Sequence, residues 1–232
     1  MKNRYLTINS IDRENIGDTP SSFSISIKNG LQYQTCQLIM AQIPNTYYNI
    51  TNNNNGITIN DVICRMVPGN YNLDEFFNAF INLHPSIVGI SYDDIICKIT
   101  VTLDAPGSGF EFPSSGSMHS VIGFLQNYSA SGVTHLSIFP PSLAKHILYI
   151  DIDHLSSNHT SSFLNSGVNV FEVQNNVNKN EMILYNEKTN FKQIVNCKNT
   201  SQIIYNLTIK LKNQFNEICT GASDWSMILS FY

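Results

Sequence analysis

The sequence predicts an all-β chain: a single jelly-roll sandwich of two antiparallel sheets, with two short helices in its connections, spanning 1–232 as one domain. Three observations predict it. Apolar and polar residues alternate along many short segments, Gly, Pro, Asn and Ser clusters separate those segments, and helical spacing of apolar residues occurs in only two places. A chain of 232 residues buries about 70–75% of its unfolded surface on folding, so a core needs no disulfide or metal to hold it.

Taken in order, strands are expected at about 4–9, 22–27, 35–43, 57–66, 88–92, 97–103, 147–153, 169–174, 181–186, 191–196, 207–212 and over the C-terminal residues. In Ser22-Phe23-Ser24-Ile25-Ser26-Ile27 the period of two puts Phe23, Ile25 and Ile27 on one face and three serines on the other. Cys97, Ile99, Val101 and Leu103 form a second inward set, Leu148, Ile150 and Ile152 a third, and Leu207, Ile209 and Leu211 a fourth. At the end of the chain Trp225, Met227, Leu229 and Phe231 share a parity.

The first helix is expected to start at Asn72, an N-cap residue with Glu75 three positions on, the spacing of a capping box. Leu73, Phe76, Phe77 and Phe80 follow on one helical face, and Pro85 helps to stop the element. The second, near 117–125, would present Met118, Val121, Ile122 and Leu125. Residues 126–145, rich in Ser and Gly and carrying Pro140-Pro141, read as a loop. The Asn52 to Asn55 run ahead of Gly56 is expected to form a tight turn, since Asn and Gly tolerate positive φ.

Charged residues make up 13% of the chain, about half of the roughly 25% usual in soluble domains. Asn, Ser and Thr replace them. Neutral polar surface is desolvated more cheaply than charged surface, and charge depletion marks the centres of protein interfaces. The formal charge of −4, with no cluster of Lys and Arg, argues against gripping phosphate backbones. Lys210 and Lys212 read as a solvated strand face. The five cysteines, Cys36, Cys64, Cys97, Cys197 and Cys219, are widely spaced without any Cys-x-x-Cys pair, which predicts reduced thiols rather than a disulfide frame or zinc site. No apolar run suggests a secretory leader or a membrane span, so a soluble protein of a reducing compartment is expected.

Catalytic and metal patterns are sparse. The histidines, His84, His119, His135, His146, His154 and His159, show no ligand spacing and no His-x-His pair. Asp151 and Asp153 share a strand face with His154 next in line, the nearest approach to a cation site. Ordinary solvent-facing carboxylates are the simpler reading. Gly-x-Ser-x-Gly is absent and Gly107-Ser108-Gly109 does not open a helix, so neither a nucleophile elbow nor a phosphate loop is expected. The chain reads as a protein without cofactor, metal or catalytic residues. Aromatics at predicted strand ends, Tyr33, Tyr47, Tyr48, Tyr71 and Tyr92, suit an interface as a group, while ordinary rim packing with a hydrogen-bonded hydroxyl is the simpler reading of any single one.

Several segments, in order, resemble the penton and minor capsid proteins of virophages, Polinton-type elements and related large DNA viruses. These are Leu6-Thr7-Ile8-Asn9-Ser10-Ile11-Asp12-Arg13, then Pro20-Ser21-Ser22-Phe23, then Ala41-Gln42-Ile43-Pro44-Asn45-Thr46-Tyr47-Tyr48-Asn49-Ile50. Pro68-Gly69-Asn70-Tyr71, Ile122-Gly123-Phe124 and Asp224-Trp225-Ser226-Met227-Ile228-Leu229 extend the match to the end. The resemblance implies a jelly roll that forms a homopentamer at the fivefold vertices of an icosahedral virion, beside a separate major capsid protein, assembled in the host cytoplasm at a virus factory. It implies no specific nucleic-acid binding and no membrane insertion. Longer members of that family carry an inserted outer domain, and no large insertion is expected here. Candidate interface residues are Tyr33, Pro44, Asn45, Tyr47, Tyr48 and Tyr71. The alternatives are a carbohydrate- or receptor-binding jelly-roll module, a minor capsid protein that cements facets and, least in favour, a cupin-like enzyme.

Overall fold

A computed structural model describes residues 4–143, 147–153, 155, 170–196, 203–213 and 216–232. Three strands come first: β1 (Arg4–Asn9), β2 (Ser22–Gln32) and β3 (Thr35–Pro44). The middle of the chain forms β4 (Gly56–Ile59), β5 (Val62–Arg65), helix α1 (Leu73–Ile81), β6 (Ile87–Asp93), β7 (Lys98–Leu103), β8 (Gly109–Glu111), β9 (Ser129–Ser131) and β10 (Thr134–Leu136). The last part supplies β11 (Ile147–Asp153), β12 (Val170–Gln174), β13 (Met182–Asn186), β14 (Ile194–Asn196), β15 (Ile203–Lys212) and β16 (Ser226–Phe231).

These elements pack as two compact units, Met1–Tyr47 with His146–Tyr232, and Tyr48–Lys145. The expectation that no large insertion interrupts the chain is therefore corrected. Both halves of the first unit and all of the second are built of the same short alternating strands, and no change of composition marks the crossing points.

The first unit holds two antiparallel sheets, one in the order β1-β16-β3-β13 with β14 also on β3, the other β12-β11-β15-β2. Counting only its eight main strands, first pairs with last, second with seventh, third with sixth and fourth with fifth. That nested pairing is a long hairpin rolled over on itself, the topology of a jelly roll. Its core follows the alternation. Leu148, Ile150 and Ile152 are fully buried, as are Leu207, Ile209 and Leu211, and Met227, Leu229 and Phe231 join Trp225 in the same cluster. Phe23 is buried, while Ile25 and Ile27 are partly buried against it.

The second unit has a sheet β10-β7-β6, a sheet β5-β4-β8-β9 and α1. The helix starts as expected: the Asn72 side chain accepts from Glu75 N at 2.9 Å and the Glu75 carboxylate accepts from Asn72 N at 3.0 Å. Phe76 and Phe80 are its buried residues. The single strand expected at 57–66 is a two-residue hairpin, with Asn60 and Asp61 both at positive φ, 49° and 64°. Positive φ at both turn residues matches the right-handed twist of the flanking strands.

Four further expectations fail here. Residues 117–125 form turns and no helix. Ile122 N–H does reach Met118 O, but Gly123 at φ +81° ends the winding, and a Cβ there would lie 2.0 Å from Phe139 O. Met118, Val121 and Ile122 are still buried, and Leu125 is exposed. Cys97 is exposed rather than inward, because its φ of 53° places it in the turn before β7. The presumed loop at 126–145 contains β9 and β10, strands too short for period-two alternation to reveal. Nor does the Asn52 to Asn55 run use positive φ. Its side chains cap instead: Asn54 Oδ1 accepts from Thr51 N, and buried Asn55 donates to Met66 O.

Candidate interaction surfaces

The nearest approach to a cation site is closed by lysines. In the register of β11 with β15, Asp151 faces Lys210 and Tyr149 faces Lys212, and the ion pairs run diagonally. Lys212 Nζ lies 2.5 Å from Asp151 and Lys210 Nζ 2.7 Å from Asp153. The Asp153 carboxylate holds Lys210 above the usual lysine range. His154, with His146, His159 and Cys197, lies outside the described residues. Among the described residues no three His, Cys, Asp or Glu side chains cluster to hold a metal ion.

The remaining histidines have structural partners. His135, buried, donates from Nε2 to Gly132 O at 3.1 Å and accepts at Nδ1 from the Tyr128 hydroxyl at 3.0 Å, the arrangement of a neutral imidazole. Burial lowers its pKa, and that of His119. Phe110 packs against both rings of this pair, edge-on to Tyr128 and tilted to His135, and Phe124 lies edge-on to Tyr128. His84 accepts from Ser86 N. Cys36, Cys64, Cys97 and Cys219 form no disulfide, and burial pushes the Cys219 thiol far above its ordinary value.

The two sheets of the first unit differ sharply on their outer faces. The outer face of β12-β11-β15-β2 carries Glu172, Asp151, Asp153, Lys210 and Lys212. The outer face of β1-β16-β3-β13 carries Tyr5, Thr7 and Asn9, then Ser226, Ile228 and Ser230, then Gln37, Met40, Gln42 and Pro44, then Met182, Leu184 and Asn186. None is charged. Leu184 is 61% exposed and Tyr5 65%, with Met182 and Ile194 also on the surface. A carboxylate reaches the rim from the turn after β13, where Glu187 accepts a hydrogen bond from Gln37. Protein surfaces normally intersperse charge of both signs, and a whole sheet face without any is suited to cover rather than to water.

The residues expected at an interface have mixed placements. Tyr47 is buried and accepts from Asn175 Nδ2 at 2.6 Å, and its phenol is raised far above the ordinary value by burial. Tyr33 is buried edge-on against Phe231. Asn45 is buried, its amide donating to Val177 O and Asn178 O. Pro44 is partly covered at the end of β3, and Tyr71, also partly covered, donates to Val67 O. Tyr48 keeps an exposed ring. Sequence reasoning missed the charge-free face because strand pairing, which no single strand encodes, is what lines its rows up.

Three segments far apart in sequence meet at one corner of the first unit. Arg13 Nη1 lies 2.5 Å from Asp224, whose carboxylate also accepts from the Ser10 hydroxyl. Ser10 Oγ in turn accepts from Trp225 N, and the Trp225 indole N–H donates to Pro20 O at 2.6 Å. The Trp225 ring packs edge-on to Phe23 at 5.9 Å. The Ser10 to Arg13, Pro20 to Phe23 and Asp224-Trp225 segments thus form one clamp that ties β1, β2 and β16 together.

No family model matches the chain, and no curated protein matches it. The selenomethionine-labelled crystal structure of the mavirus penton protein aligns with 100% of this chain and 99% of that one, at 13% identity and a TM-score of 0.45. No helix among the described residues is long and apolar enough to cross a membrane.

Proposed function

We propose that this chain is a structural capsid protein: a penton that closes into a ring of five copies at the fivefold vertices of an icosahedral virion, beside a separate major capsid protein. The uncharged outer face of β1-β16-β3-β13 carries the reading. A ring of wedge-shaped protomers closes through heterologous contacts that bury one flank of each copy against its neighbour. A face of Thr, Ser, Asn, Gln, Met, Leu and Ile can be buried there without stripping water from an unpaired charge. The jelly-roll pairing supports the same role, and so does the order of segments resembling the penton family. Pairing of Asp151 and Asp153 with lysines leaves the opposite face self-neutralised and wettable, as an outer wall of a shell requires.

Mass photometry and negative-stain imaging of the purified protein test this. Closed rings of five protomers are expected at micromolar concentration. A protein that stays monomeric there, with and without the major capsid protein of the same virus, overturns the proposal.

A further inference from the structure

A groove of about 750 Å³ opens in the first unit between β12 and the segment leading into β14. Its wall is the outer edge of β12, which ends its sheet among the described residues. An edge strand exposes backbone donors and acceptors that invite pairing. At the middle of this edge a side chain takes the place of a strand. The Gln193 carboxamide accepts from Glu172 N at 2.6 Å and donates to Glu172 O at 2.5 Å. One carbonyl and one N–H in one plane are what a residue of an added antiparallel strand would offer. Val170 and Gln174, two residues to either side, project their backbone groups the same way, and those groups have no partner among the described residues. The Gln193 main chain stays tied through Leu38 N–H, and its side chain also meets the Tyr185 hydroxyl, so the edge opens when that side chain turns away from both Glu172 and Tyr185.

We propose that this edge accepts an extended segment of a partner protein as an added strand, with Gln193 as the latch that the segment displaces. The surroundings set the chemistry of the segment. Residues pairing with Phe171 and Val173 would face Tyr185, Phe191 and Val195 in the groove, and these call for aliphatic side chains. Phe191, 94% exposed, stands ready to cover them. The residue pairing with Glu172 lies on the wet face beside its exposed carboxylate, and there a cation fits. The segment is therefore aliphatic, basic, aliphatic in successive positions. A second copy pairing through its own β12 about a two-fold axis centred here would set Glu172 opposite Glu172, and like charges directly opposed are destabilising.

The test uses the full chain and a labelled, end-blocked peptide Thr-Val-Lys-Val-Thr, read by fluorescence anisotropy. Saturable binding is expected, lost when the backbone of the central residues is N-methylated. Gln193→Ala removes the latch and should tighten binding by about tenfold, if the edge is open about a tenth of the time in the parent protein. Glu172→Lys, a substitution at an exposed position, should reverse the preference toward Thr-Val-Glu-Val-Thr. The proposal falls if neither the parent nor the folded Gln193→Ala protein binds saturably, or if the N-methylated peptide binds equally well. Should Gln193→Ala fail to fold, an unchanged preference in Glu172→Lys overturns it. Self-association of Gln193→Ala in the absence of peptide would mark the edge as a contact between copies and overturn the assignment of the partner.

Discussion

Leu184→Glu places a carboxylate on β13, the edge strand of the uncharged sheet face, where it separates protomer stability from assembly. Leu184 is 61% exposed and faces Gln42 across the strand pair. The protomer should keep its stability within about 0.5 kcal/mol, as substitutions at exposed positions do. In a closed ring the same carboxylate must leave water with no cation on its own face to meet. The effective cost of an unpaired buried charge is about 3–5 kcal/mol. Loss of the leucine contact adds about 1 kcal/mol. At about 1.4 kcal/mol per factor of ten, a total near 5 kcal/mol weakens each subunit contact by roughly three to four powers of ten. Sedimentation velocity across a dilution series reads the ring, and thermal melting followed by circular dichroism reads the fold. Leu184→Gln, polar but neutral, should fall between the two. If Leu184→Glu forms rings at the concentrations of the parent protein with an unchanged melt, the face is not what the ring buries, and the role assigned to it is refuted even if rings exist.

Three further outcomes follow from the fold. Trp225→Phe removes the indole donor to Pro20 O and should cost about 1–2 kcal/mol, seen as a lower urea midpoint at constant slope, because the carbonyl it leaves is partly buried. Asp224 is held below the usual carboxylate range by the hydrogen bond from Arg13, helped by Ser10. A carboxyl depressed in the folded state contributes stability above its unfolded pKa, and that contribution disappears as pH falls through the folded value. Asp224→Asn should therefore melt lower than the parent at neutral pH and converge with it in acid; a constant gap at all pH values would exclude the charge as the cause. Gly123→Ala forces a Cβ onto Phe139 O at φ +81° and should destabilise by about 3 kcal/mol, while Gly107→Ala, with nothing within 4 Å of the added Cβ, should change the denaturation midpoint little.

What could be read from sequence follows the range of the interactions involved. The capping box at Asn72 and Glu75 was legible because both partners lie within one turn. Burial of Leu148, Ile150 and Ile152 was legible because the period of two reports directly on which face is dry. The second helix was misread for a related reason. Met118, Val121 and Ile122 have helical spacing and are buried, but burial needs only that they point inward, and Gly123 breaks the backbone after a single turn. The β4–β5 hairpin was hidden because the turn uses Asn60-Asp61 rather than the commoner Asn-Gly.

The interaction surfaces were less legible. Low charge is visible in composition, yet composition does not say where the few charges go. Lys210 and Lys212 could be assigned to a wet strand face from their alternation, but their carboxylate partners come from β11, some sixty positions away. Tyr33 and Tyr47 looked like rim residues at strand ends, and the pairing of distant strands instead closes Phe231 over one and places Asn175 against the other.

The sequence by itself therefore determined the all-β character, the faces of the longer strands, the start of α1 and the scarcity of charge, since each is set by residues adjacent in the chain. Only the tertiary structure decided that strands pair as a rolled hairpin, that Tyr48–Lys145 forms a unit of its own, and that one sheet of the first unit carries paired charges on its outer face while the strands of the other carry none on theirs. Those outcomes depend on which distant strands meet and in what register, and a shift of one residue in that register would exchange the dry face for the wet one.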